Sequence, residues 1–130
     1  MNLKSKTVHL DKSAQEVCEF LGDVKNFEQL MPENTAKFEL IGEDAFVFAL
    51  SGMPEIALEL KEINAPNRVV LGAKSDKIPF ALAADIEELG DSKSATTLDF
   101  SGEFNAMMAM MIKGPIKNFL GALSTKLETI

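Results

Sequence analysis

The residue types that most often carry catalysis or bind metals are scarce in this chain. Its 130 residues include one histidine, His9, and one cysteine, Cys18, and no tyrosine or tryptophan. His9 alternates with Val8 and Leu10, so we expect it to face outward as a solvated or structurally hydrogen-bonded imidazole. One histidine and one cysteine cannot form a soft-metal cluster. Cys18 has no evident basic partner to activate it. We therefore predict no metal site, no cofactor and no catalytic residue.

Carboxylates occur in pairs, but we expect them on solvent-exposed strand faces, where they are not suited to acid–base catalysis. Each pair alternates with phenylalanine or leucine in a strand-like segment, so its members should face solvent. A general acid would need a carboxyl group held in an apolar pocket. We interpret the pairs as one solvated sheet face. They are Glu55 with Glu59, Asp85 with Glu87, and Asp99 with Glu103.

A few polar residues could still approach a ligand, and Lys113 is the most interesting of them. It lies one turn before Lys117 in the C-terminal segment, where its ammonium group could bind a ligand carboxylate. The alternative is that its side chain extends to solvent, as lysines on surface helices commonly do. Asn105, Asn118 and Thr96 are the other polar candidates.

The element that must position such a site is a long C-terminal helix. Ile116, Leu120, Leu123 and Leu127 recur at helical spacing within residues 105–130. A helix this long must lie across a sheet to bury its apolar stripe. Pro115 divides it into a Met-rich half (residues 105–114) and a Leu-rich half (residues 115–127). Methionine adapts to irregular apolar surfaces, so we expect the Met-rich half to cover a hydrophobic cavity.

Before this helix, the apolar residues alternate with polar ones at the period of a strand. Ser13 and Glu16 form a capping box that opens a short helix, and a second short helical turn ends before Pro32. The other segments, joined by tight turns, predict antiparallel strands. We predict an α+β fold in a single domain, residues 1–130, with a seven-stranded antiparallel sheet curved around the C-terminal helix. Two short helices should lie between strands one and two.

Composition limits the partners and the location. Hydrophobic residues make up 46% of the chain and charged residues 25%, the balance of a soluble globular domain. The net charge of −7 and the absence of a basic cluster argue against nucleic acid and against anionic membrane surfaces. No segment is apolar enough for a signal peptide or a membrane span. We expect a cytoplasmic protein with no integral membrane association.

The order of elements resembles a known superfamily. The opening V-H-L-D-K-S-A-Q-E-V-C-E-F-L-G-D-V-K-N-F is similar to that of START-related helix-grip proteins, also called SRPBCC. This group includes pollen-allergen-type proteins, polyketide cyclases and aromatases, and lipid-transfer domains. The resemblance covers the whole chain and implies a cavity between the concave sheet face and the terminal helix, holding a hydrophobic small molecule.

Three functions remain open. The leading hypothesis is binding or transport of a lipid, fatty acid, quinone or polyketide-like ligand. One alternative is a polyketide cyclase or aromatase-like enzyme, and the other is a non-catalytic interaction domain with a filled core. In the third case the small outward residues Ala45, Val47, Ala49, Ala81 and Ala83 could pack against a partner or form a homodimer. We expect the ligand-contacting residues to be Phe46, Phe48, Leu58, Phe80, Leu82, Leu98, Phe100, Met107, Met110, Met111 and Lys113.

Overall fold

A single curved antiparallel sheet and one long helix form the body of the molecule. The computed structural model describes residues 2–51, 55–74 and 80–130. Within these ranges the chain forms eight strands: β1 (Asn2–Lys4), β2 (Val8–Leu10), β3 (Thr35–Ile41), β4 (Ala45–Leu50), β5 (Ile56–Asn64), β6 (Arg68–Ala73), β7 (Phe80–Gly90) and β8 (Lys93–Gly102). The helices are α1 (Ala14–Leu21), a 3-10 helix (Val24–Leu30) and α2 (Ala106–Leu127).

The predicted helix-grip architecture is confirmed. The strands follow the order β1-β8-β7-β6-β5-β4-β3, and β2 also pairs with β8. Every pairing is antiparallel. The sheet is therefore a meander from β3 to β8, with the N-terminal segment added to its far edge.

The first predicted strand, residues 4–10, is divided into two short strands. Lys4 pairs with Asp99 and Val8 with Thr96, so the N-terminal segment holds one residue more than β8 between these pairs. Such an extra residue is the signature of a β-bulge. Ser5 holds the irregularity in place, since its backbone N–H donates to the Leu98 carbonyl and its hydroxyl accepts from the Leu98 N–H.

The helical pair between β2 and β3 begins with the predicted capping box. The Ser13 hydroxyl accepts from the Glu16 N–H, and the Glu16 carboxylate accepts from the Ser13 N–H, each at 3.1 Å. The Glu88 carboxylate of β7 also accepts from the Ala14 N–H at 2.8 Å. These bonds satisfy N–H groups that have no partner inside the helix. They fix the start of α1 against the sheet.

Alternation along the strands directs the apolar side chains toward α2. Phe46 pairs with Leu58 across β4 and β5, and Leu82 pairs with Phe100 across β7 and β8. All four side chains are buried. Because side chains on successive residues point to opposite faces, their strand neighbours face outward.

The Leu-rich half of α2 closes the concave face. Its buried side chains are Ile116, Phe119, Leu120, Leu123 and Leu127. At 100° per residue these positions form one stripe, which fixes the rotation of the whole helix about its axis. The helix contacts β1, β2, β8 and the 3-10 helix.

Candidate ligand-binding site

The part of the concave face beneath the Leu-rich half of α2 is filled by the protein's own rings. Phe48 stacks on Phe119 of α2 with ring centroids 4.8 Å apart. Phe46 stacks on Phe27 of the 3-10 helix at 5.3 Å and on Phe38 at 5.2 Å. Phe46 and Phe48 are at most 1% exposed. These rings join four elements, β3, β4, the 3-10 helix and α2, and close this region.

The end of the sheet where α2 begins is packed differently. Phe80 opens β7, and Phe100 lies near the end of β8, with ring centroids 5.7 Å apart. Phe104, in the link to α2, stacks on Phe100 at 6.2 Å. Phe100 is buried, whereas Phe80 and Phe104 are only half-buried. Phe80, Phe100 and Phe104 therefore form a row of rings, the aromatic ladder, that leads from the buried core to the surface.

A glycine makes this ladder possible. Gly102 pairs with Phe80 across β7 and β8. A Cβ atom at Gly102 would lie 2.6 Å from Cε2 of Phe104 and 2.8 Å from Cβ of Phe80. Contacts that short do not occur, so only glycine leaves room for both side chains in their present positions. Phe80 and Phe104 leave this end of the concave face partly exposed; we call it the open end of the groove, and the ring faces there are the ones a ligand could contact.

The Met-rich half of α2 contributes different side chains from those predicted. Met107, Met110 and Met111 are 74%, 83% and 70% exposed, so the expectation that they face the sheet is wrong. Lys113 is also exposed. Counting back in steps of four from the buried Ile116 reaches Ile112 and Met108, which are half-buried. The rotation set by the leucine stripe turns those two inward and the other methionines outward.

The other predicted ligand residues lie on the concave face but at different depths. Leu58, Leu82 and Leu98 are 2–4% exposed and belong to the same core as Phe46 and Phe48. Only Phe80 and Phe100, of the residues predicted to contact ligand, belong to the open end. Sequence reasoning missed Phe104, Ile112 and Met108 as site residues. The signal was available, since Phe104 continues the alternation of β8 and Ile112 continues the apolar stripe of α2.

The described inner face of the sheet and of α2 is almost entirely apolar. Its described polar side chains are the hydroxyls of Ser94, Thr96 and Ser124, all fully buried. The Ser124 hydroxyl donates to the Gly121 carbonyl at 2.9 Å. Ser94 and Thr96 hydroxyls have no hydrogen-bond partner among the described residues. None of the three is a general acid or base near neutral pH.

His9 and Cys18, the residues whose types could support catalysis, have the surroundings predicted from the sequence. His9 is exposed, and Cys18 is buried. Burial, and secondarily the carboxylate of Glu19, raises the pKa of the Cys18 thiol, so it is protonated and unreactive at neutral pH. Within the described ranges, no three histidine, cysteine or acidic residues come together to hold a metal ion.

The prediction that the acidic pairs face solvent holds except at Asp99, whose Oδ1 is buried without a hydrogen-bond partner among the described residues. The other members are exposed or partly exposed, and three of them form ion pairs. Glu55 accepts from Lys37 at 2.6 Å, and Glu59 from Lys61 at 2.6 Å. The pKa of Lys37 is raised, chiefly by its hydrogen bond to Glu55, and that of Glu59 is lowered, chiefly by its hydrogen bond from Lys61. Because these side chains are partly exposed to solvent, their ion pairs contribute little to the free energy of folding.

A polar depression of about 340 Å³ lies on the β7–β8 part of the sheet, apart from the aromatic ladder. Thr7 and Thr97 meet there with hydroxyl oxygens 2.7 Å apart, and Asp85 is already paired with Arg68. No aromatic ring lines it, and five of its seven lining residues are polar, so it is poorly suited to a hydrophobic guest. The remaining residues that line it are Asn67, Ile86, Glu87 and Ala95.

Comparison with known proteins gives matches of structure only. No protein-family model and no curated protein matches the sequence. A START superfamily protein from Mycobacterium smegmatis aligns with a TM-score of 0.68 at 12% identity, over 98% of this chain and 97% of that one. A conserved protein from Geobacillus kaustophilus aligns with a TM-score of 0.70 at 19% identity, over 99% and 93%.

An enzyme shares the same fold. Norcoclaurine synthase from Thalictrum flavum aligns with a TM-score of 0.75 at 10% identity, over 99% of this chain and 84% of that one. That enzyme has also been solved in complex with dopamine and hydroxybenzaldehyde. The described part of the present chain contains no helix long and apolar enough to cross a membrane. At these identities the alignments establish architecture alone, and the chain has the same helix-grip fold as these proteins.

Proposed function

We propose that this protein binds a small hydrophobic ligand at the open end of the groove, against Phe80, Phe100 and Phe104. The observation that carries the proposal is the contrast between the two ends of the concave face. One end is sealed by stacked phenylalanines, whereas the other ends in half-buried rings beside the start of α2. Half-buried aromatic faces favour an apolar guest that completes their burial.

The side chains at this end define the class of ligand. The rings and the inward-facing Ile112 and Met108 carry no charge, so the buried part of the ligand should be a neutral ring or an acyl chain. Lipids, fatty acids, quinones and polyketide-like rings all meet this description. Norcoclaurine synthase, with the same fold, holds aromatic small molecules, which supports an aromatic or polyketide-like guest as one option. The single buried thiol of Cys18 suits a reducing compartment, so we propose the cytoplasm as the location.

The test compares one substitution on the two faces of α2. Ile112→Phe adds volume to the inward face, while Met110→Phe adds a ring to the outward face of the same turn. Binding of the dye ANS and of a fluorescent fatty acid should weaken about tenfold in Ile112→Phe, the effect of about 1–3 kcal/mol of overpacking. Met110→Phe should leave the affinity within about twofold, because that side chain lies outside the groove.

Circular dichroism melts confirm that each variant is folded. If the wild type binds neither probe at tens of micromolar, the binding proposal is wrong. Equal effects of the two substitutions would also contradict it, because they would place the probe away from the inward face.

One observation favours a second function, an interaction domain with a filled core. The stacked rings of Phe27, Phe46, Phe48 and Phe119 fill the part of the concave face beneath the Leu-rich half of α2. A partner or a second copy would then use the outer sheet face. There the stem of Lys61 lies over Gly72, so association would have to displace it. Sedimentation equilibrium distinguishes the two functions, since a dimer without probe binding would support the interaction domain.

A further inference from the structure

We propose that the outward face of the Met-rich half of α2 docks on the surface of an anionic phospholipid bilayer. The three exposed methionines, Met107, Met110 and Met111, are spaced i, i+3 and i+4 and therefore lie on one side of the helix. They are 70–83% exposed. Unlike the other exposed large apolar residues of the described chain, they form a contiguous helical patch.

The charge of α2 favours an anionic partner. Residues 106–127 contain three lysines, Lys113, Lys117 and Lys126, and no acidic residue, although the whole chain has a net charge of −7. Lys113 and Lys117 follow the methionine patch along one flank of the helix, and both are exposed. Neither forms an ion pair with any described residue. An apolar patch flanked by free ammonium groups fits an interface with apolar chains below and phosphates above.

The distribution of charge also sets the orientation. Glu55, Glu59 and Asp85 lie on the outer face of the sheet, on the side away from α2. Those three carboxylates are already paired with Lys37, Lys61 and Arg68. Because Lys113 and Lys117 of α2 are not paired with any described residue, an anionic bilayer should attract the helix rather than the outer sheet face, and the chain should approach with α2 first. The overall negative charge, which opposes membrane binding when only composition is considered, is therefore compatible with docking through this one surface.

Docking does not depend on the proposed ligand, because the two use opposite sides of the helix. Met107, Met110 and Met111 would contact lipid, whereas Ile112 and Met108 face the groove. If both hold, the open end of the groove would lie near the bilayer, which is where a hydrophobic ligand would be exchanged.

The test is flotation of the full chain with vesicles of neutral phosphatidylcholine or of an equimolar mixture with phosphatidylglycerol. Wild type should bind the anionic vesicles more tightly and lose binding in high salt. The double variant Lys113→Glu/Lys117→Glu should bind at least about 25-fold more weakly, since each lysine near an anionic surface contributes about fivefold. Met110→Glu should weaken binding about tenfold or more by placing a charge in the apolar interface.

The β7–β8 turn, at the opposite end of the sheet, offers matched controls. Leu89→Glu removes another exposed apolar side chain, and Lys93→Glu reverses another exposed lysine. Both should bind anionic vesicles as the wild type does. The proposal is overturned if wild type does not float, if it prefers neither vesicle, or if the control variants lose binding equally. A dimer that Met110→Glu dissociates, without vesicle binding, would instead assign the patch to a second copy.

The Ile112→Phe variant distinguishes the two proposals. If it no longer binds ANS or the fluorescent fatty acid but still floats with anionic vesicles, ligand binding and membrane docking use different surfaces.

Discussion

Replacing Leu123 by alanine tests whether the Leu-rich half of α2 carries the stability of the fold. Leu123 is 1% exposed, in the middle of the buried stripe. The substitution removes three carbon atoms, worth about 2.4 kcal/mol at about 0.8 kcal/mol per buried methylene. Incomplete relaxation around the cavity adds to this, so we expect a loss of about 3–4 kcal/mol in the free energy of unfolding.

Met110→Ala is the matched control on the same helix. Because Met110 is 83% exposed, its truncation should change stability by less than about 0.5 kcal/mol. Urea unfolding should be followed by circular dichroism at 222 nm, since the chain has no tryptophan or tyrosine to report by fluorescence. An unchanged slope against urea would show that the change lies in stability rather than in the extent of unfolding.

Two outcomes would refute this reasoning. A loss below about 0.5 kcal/mol in Leu123→Ala would mean that α2 does not close the core. A loss above about 1 kcal/mol in Met110→Ala would mean that the Met-rich half packs against the sheet with the rotation opposite to that observed.

Two further predictions concern the sealed core and the capping box. A double-mutant cycle on Phe48 and Phe119, each changed to leucine, should give a coupling energy of about 0.5–1.5 kcal/mol, and additive effects would show that their stacking contributes nothing. The pKa of Glu16 is lowered, first by its hydrogen bond from the backbone of Ser13 and then by the Ser13 hydroxyl. A carboxyl group with a lowered folded-state pKa stabilises the fold above its ordinary pKa and loses that contribution as pH falls through the folded value. Unfolding free energies of Glu16→Gln should therefore fall less steeply than those of wild type between about pH 5 and pH 3, and parallel curves would contradict the assignment.

Local features of the sequence determined most of the secondary structure. The capping box at Ser13 and Glu16 placed the start of α1, because its hydrogen bonds join residues three apart. The alternation of Phe46 and Phe48 with smaller residues determined which face of β4 carries the large apolar side chains of the core. Asn105 is a favoured N-cap residue type, and in the structure its side chain caps α2 by accepting from the Met108 N–H at 2.8 Å.

The orientation of the Met-rich half was also present in the sequence. The four-residue steps from Ile116 through Ile112 to Met108 identify the inward side chains. The prediction from composition instead placed Met107, Met110 and Met111 in the groove, because methionine adapts well to irregular apolar surfaces. Helical phase decides which side chains face the sheet, since a rigid helix anchored by its leucines cannot rotate one half independently of the other.

Only the tertiary structure decided which part of the groove is closed. Phe27 stacks on Phe46, and Phe48 stacks on Phe119. The partners in each pair come from segments far apart in sequence, so no local pattern predicts that their rings meet. The division of the first strand likewise depends on Ser5 bonding to Leu98, more than ninety residues away. Such contacts are set by the curvature of the sheet and by the angle at which α2 crosses it, which are properties of the assembled fold. The sequence by itself therefore determined the elements and most of their buried faces, and the packing between them decided that one end of the groove is filled and the other ends in half-buried rings.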